Sequence, residues 1–159
     1  MAVQDVIPVE FGDVFPHGVF ASGEIKVARD WEQSTRENTV QLEVQTADPE
    51  TGELVRLPVW LVTVNDGETG ETAQVQVVAR HQPVLPAPVP GTPFRPVELV
   101  GLAIEPYLNR DKCRAPWGGR QHRCGSRLAF KYWARELRPT TMAVAAGTGN
   151  GKAESKAGS

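Results

Sequence analysis

Apolar and polar residues alternate one by one along much of this chain, the two-residue period of strands with one buried face. Val19–Val27 puts Val19, Ala21, Ile25 and Val27 on one face, with Glu24 and Lys26 on the other. Residues 39–46 set Val40, Leu42 and Val44 against Gln41, Glu43 and Gln45. Residues 73–79 set Ala73, Val75, Val77 and Ala79 against Gln74 and Gln76. Residues 59–64 are almost wholly apolar, as a central strand is. Residues 97–104 and 127–135 complete the predicted strands. In the last of these, Arg127, Ala129, Lys131, Trp133 and Arg135 form one face, and Leu128, Phe130, Tyr132 and Ala134 form a core face. Asp48-Pro49-Glu50-Thr51-Gly52 and Asn65-Asp66-Gly67-Glu68-Thr69-Gly70 are turn sequences, the second a hairpin loop. Helical periodicity is confined to a short stretch at residues 28–36.

Residues 83–96 are a different material. Pro83, Pro86, Pro88, Pro90, Pro93 and Pro96 remove backbone donors, which keeps the segment out of a central sheet and favours an extended course. It reads as a stiff crossover between two parts of a barrel, docked by Phe94 and Val97. A ligand for a proline-binding domain is the competing reading. Residues 139–159, rich in Gly, Ala, Ser, Thr and Lys, read as a disordered tail. The pattern therefore predicts an all-β chain, with residues 1–138 as a single small OB-like β-barrel of five to six strands and a β-sandwich as second choice.

Composition adds bounds. At 159 residues, 40% hydrophobic and 23% charged, the chain has apolar material for one core. No run of about 18 apolar residues exists to span a membrane. The first residues, with early acids and no basic or apolar stretch, do not read as a signal peptide. The expectation is a cytoplasmic protein with no membrane partner. There Cys113 and Cys124 stay reduced, with a loop-closing disulfide as the alternative.

Charge changes the picture most. Residues 1–109 hold six Lys/Arg against sixteen Asp/Glu, a net of −10, whereas residues 110–138 hold nine against two, a net of +7. The formal total of −2 hides a basic block behind an acidic body. Aromatic rings stand among the cations. Phosphates supply attraction to such a surface, and flat rings stack on unpaired bases. The candidate nucleic-acid-binding residues are Arg110, Lys112, Arg114, Trp117, Arg120, Arg123, Arg127, Lys131, Trp133 and Arg135. Trp117 sits at a Gly-rich loop tip with little to pack on, while Trp31 and Trp60 read as packing residues. A solvated face that offsets the acidic body is the plain alternative.

Catalytic signatures are missing from the sequence. No Gly-rich phosphate loop ending in Lys-Ser/Thr, no G-x-S-x-G and no H-E-x-x-H occurs, so no enzyme and no cofactor is expected. His17 and His81 each stand alone and read as structural or solvated. Cys113, His122 and Cys124 are a weak metal candidate, because their spacing is not that of a paired knuckle.

Three ordered blocks carry a resemblance. They are Val9-Glu10-Phe11-Gly12-Asp13-Val14-Phe15-Pro16-His17-Gly18, then Gln82-Pro83-Val84-Leu85-Pro86 with Pro93-Phe94-Arg95-Pro96-Val97-Glu98, and finally Arg127-Leu128-Ala129-Phe130. Together they resemble the plasmid replication, integration and excision activators of actinomycete integrative and conjugative elements. The resemblance spans residues 7–138 and implies a role in switching on or assisting replication and excision of a mobile element. It carries no catalytic or base-contacting residue. Residues 110–126 look like an insertion relative to that family. The leading expectation is a non-enzymatic accessory protein that binds DNA, single-stranded rather than duplex because no recognition helix is predicted. The alternatives are a module docking on a replication initiator, helicase or integrase, and a transcriptional activator of the element's genes.

Overall fold

The alternating segments become strands of one curled sheet. The computed structural model describes residues 6–111, 113 and 125–140. Its elements in chain order are β1 (Ile7–Pro8), the one-turn helix α1 (Phe11–Val14), β2 (Val19–Val27), β3 (Glu43–Ala47), β4 (Leu54–Asp66), β5 (Thr72–Val78), β6 (Arg95–Val100), β7 (Ala103–Asn109), β8 (Arg127–Ala134) and β9 (Glu136–Pro139). The described residues are nearly all β and curl into a half-barrel, the small barrel-like class that the alternation predicts.

Neighbours in the sheet run β1-β7-β8-β5-β4-β2-β6-β9, with β3 paired to β4 off that path. Every pairing is antiparallel except β5 with β8. More strands form than the sequence predicts, because one predicted strand is split by a bend and β1 and β9 form outside the predicted segments. Residues 97–104 break at Gly101, whose φ of 67° favours a residue without Cβ, giving β6 and β7. The strand predicted at residues 127–135 ends at the bend on Arg135 as β8, and β9 forms beyond it, where no strand is predicted. The two bends lie side by side, since the Arg135 N–H donates to the Val100 carbonyl at 2.9 Å.

Pairing continues through the bends without a slip, from Ala103 opposite Trp133 to Val100 opposite Glu136. β6–β7 and β8–β9 are therefore one long ribbon folded at a corner. Through β8 the ribbon joins β5, and through β6 it joins β2. The sheet β5-β4-β2 is thus carried back onto itself, with the connectivity of an OB-like barrel.

The core inside the curl is almost purely aliphatic. Val19 and Ala21 of β2, Val62 and Val64 of β4, Val75 and Val77 of β5, Val97 and Leu99 of β6, and Ala134 of β8 are buried there. β-branched side chains suit a pleated surface, and each such side chain contributes about 1.5–3 kcal/mol on burial. Phe15 packs on Tyr132, their ring centroids 5.5 Å apart. The inner face predicted for β2 does not run its full length. A register shift between Ser22 and Lys26 disrupts it, and Val27 becomes exposed. Between β5 and β6 the proline-rich segment holds no strand. The Arg95 guanidinium pins it by donating to the Pro86 carbonyl at 2.5 Å. β9 extends through Pro139, where the sequence places the start of a tail, and residues 141–159 lie outside the described residues.

Candidate nucleic-acid interface

β8 pairs with β7 along its length, from Trp133 opposite Ala103 to Arg127 opposite Asn109. It pairs with β5 only from Tyr132 to Ala134. The outer part of the β7–β8 hairpin is therefore a two-stranded arm. Residues 110–126 join its two strands at the tip, beyond the Asn109–Arg127 pair. Arg110 is exposed there.

One face of the arm carries Arg127, Ala129 and Lys131, with Trp133 at the root, as the alternation predicts. Tyr107 lies opposite Ala129 and Glu105 opposite Lys131. The Lys131 ammonium sits 5.5 Å from the Tyr107 ring centroid. Trp133 is half-buried, and its indole N–H donates to the Glu105 carboxylate at 2.8 Å. Its ring forms one wall of a groove of about 420 Å³, facing Val44 and Thr46 of β3. Arg135 does not share this face. It lies at the bend beyond β8, its guanidinium packed against Gly101. Arg138, the last cation of the block, is ion-paired to Glu136 at 3.1 Å.

The opposite face corrects the sequence reading. Leu128 and Phe130, expected in the core, are 61% and 43% exposed, and Leu108 beside them is exposed too. The core face of β8 ends at Tyr132 because pairing with β5 ends there. Alternation cannot report how far a neighbour extends. Trp31 is a second correction. Expected to pack, it stands 77% exposed in the link between β2 and β3. Trp60 does pack, half-buried with its indole N–H on the Ala79 carbonyl at 3.0 Å.

Beside the arm lies the outer face of the curl. One row across it reads Lys26, Leu61, Gln76, Trp133 and Ala103, from β2 through β4, β5 and β8 to β7. A cleft of about 440 Å³ opens between the arm and the β4–β5 turn, with Tyr107, Phe130 and Lys131 on one side and Asp66 and Glu71 on the other. Burial raises the pKa of Tyr132 at this cleft, and the charges of Asp66 and Glu71 raise it further.

Lys112, Arg114, Trp117, Arg120 and Arg123 lie outside the described residues, as do His122 and Cys124 of the metal candidate. Cys113 is disulfide-bonded, where the sequence reading expects a reduced thiol. A disulfide sulfur is not the thiolate that zinc binds. Among the described residues no group of His, Cys, Asp and Glu is placed to hold a metal ion. Nor is any helix among them long and apolar enough to cross a membrane. Compared with known proteins, the chain matches no family model, no curated protein and no solved structure.

Proposed function

We propose that this is a non-enzymatic, DNA-associated accessory protein of a mobile genetic element, acting in the cytoplasm and binding single-stranded DNA. The strand would lie along the β7–β8 arm and the adjoining outer face of β4 and β5. The observation that carries this reading is the arm itself. It holds Arg127 and Lys131 beside the exposed Tyr107 ring on one face, with the exposed Phe130 ring on the other, on a two-stranded ribbon that ends in the cation-rich link. Cations attract the phosphates, and exposed rings supply stacking area for unpaired bases. OB barrels use the corresponding strands and the loop in the place of residues 110–126 for oligonucleotides, which supports the reading by analogy of fold. The role in replication, integration and excision rests on the family resemblance of residues 7–138.

Fluorescence anisotropy with a labelled oligothymidine of about 12 nucleotides and with a duplex of the same length tests this. Salt-sensitive binding that favours the single strand is expected, weakened at least tenfold in the double variant Arg127→Ala/Lys131→Ala. Both side chains are exposed, so the variant keeps its fold. Binding unchanged by the double substitution rejects the arm as the contact. No binding at low salt rejects DNA and leaves the exposed Leu108 and Leu128 as a docking face for a replication initiator, helicase or integrase.

A further inference from the structure

Trp31 is the most exposed tryptophan among the described residues, and nothing in the arm accounts for it. Its loop is rigidly built. The Asp30 carboxylate accepts from the N–H groups of Glu32 at 3.0 Å and Gln33 at 3.2 Å. The Ser34 hydroxyl bonds both the N–H and the carbonyl of Val40, at 2.9 and 3.2 Å. The Thr35 hydroxyl accepts from the Asn38 N–H at 3.1 Å. Arg29 donates to the Thr35 carbonyl at 2.9 Å and lays its guanidinium over the indole, 4.5 Å from the ring centroid. A large apolar ring is thus held in water on a short, heavily hydrogen-bonded scaffold. Solvation alone gives no reason for that, because the same bonds would hold a polar residue equally well.

Position gives the reason. The loop leaves β2 at Val27 and is tied to β4 at Val59, which donates to the Leu42 carbonyl at 2.9 Å and accepts from the Ala28 N–H at 3.0 Å. The arm's free part lies beyond Tyr132, which is level with Val75 of β5 and, through it, with Val62 of β4. The loop therefore meets β4 near its middle and the arm lies level with its C-terminal end, with the outer face of β4 and β5 between those two levels. At about 3.3 Å per residue, Val59 to Asp66 spans roughly 20 Å, the length of a few nucleotides of extended single strand. Arg29 covers one face of the indole and adds a positive charge beside it.

We infer that Trp31 is a base-stacking residue, and that a single strand held at the arm crosses the outer face to stack one base on the indole beside Arg29. This rests on the DNA reading above and adds a second, separate anchor to it.

The test compares wild type, Trp31→Ala and Trp31→Phe in anisotropy titrations. The probes are oligothymidine of about 12 nucleotides and an abasic sugar-phosphate strand of the same length. Trp31→Ala is expected to weaken oligothymidine binding about tenfold and Trp31→Phe to restore most of it. Affinity for the abasic strand and the dependence on salt should stay at wild-type values, because stacking and not charge has been removed. Trp31 is 77% exposed, so circular dichroism melts of both variants should overlay the wild type. If wild type binds oligothymidine and Trp31→Ala binds it equally well, the inference falls while the DNA reading stands, and the ring becomes a contact for a protein. If wild type binds no oligothymidine, both fall. An equal loss on the abasic strand also overturns the inference, since it assigns the effect to Arg29 and not to a base.

Discussion

Asp48 shows how one residue can be legible as a turn former and not as an ion. The sequence Asp-Pro-Glu-Thr-Gly announces a turn. The structure adds that the carboxylate is buried and bonded to Arg80 at 2.8 Å. The Glu50 N–H is the main cause that holds its pKa below the ordinary 3.8. Burial opposes that, and the Thr51 N–H and Arg80 reinforce it. A carboxyl with a lowered folded pKa stabilises the fold above its unfolded value and loses that contribution as pH falls through the folded one. Stability should therefore decline below pH 3.8. Asp48→Asn keeps an oxygen for the turn and loses the titrating charge. Its melting temperature should change less than that of wild type between neutral pH and about pH 2, as read by thermal melts across that range. An unaltered acid profile would place the acid sensitivity in other carboxylates.

Individual elements were read well where both faces of a strand have neighbours and poorly where one neighbour stops short. β4 and β5 follow their pattern because each lies inside the sheet, and β2 follows its alternation only as far as the register shift after Ser22. β8 follows it only from Tyr132 onward, where β5 is present to complete the face. The difference makes an energetic prediction. Phe130→Ala should cost less than about 1 kcal/mol in urea unfolding, as for an exposed position. Tyr132→Ala, which removes the ring packed on Phe15 and the core, should cost about 3 kcal/mol. Equal losses would mean that Phe130 is covered in solution. The bends at Gly101 and Arg135 were invisible for a related reason. Gly101 sits inside a predicted strand and Arg135 ends one, and only the facing bend explains why the chain turns and pairs on at both.

Across the whole molecule the charge separation governs behaviour. On the proposed reading, a single strand drawn to the arm would meet repulsion from most of the body, which holds a net of −10 over residues 1–109. Each phosphate neutralised on a single strand contributes about 0.7 to the slope of log affinity against log salt. Arg127→Ala/Lys131→Ala should therefore lower the magnitude of that slope by about 1.4, measured between about 50 and 200 mM salt. A slope that does not change would mean that neither cation meets a phosphate.

By itself the sequence determined the all-β class, the inner faces of the central strands, the two tight turns and the split between acidic body and basic block. All of these are local patterns of period, turn chemistry and charge. Only the tertiary structure decided which strands neighbour which. From that follow the corner at Gly101 and Arg135 that folds one ribbon back on the sheet, the short overlap of β5 with β8 that frees the arm, and the exposure of Phe130 and Trp31. Each depends on where a partner strand begins or ends, and a residue's own neighbours in sequence carry no record of that.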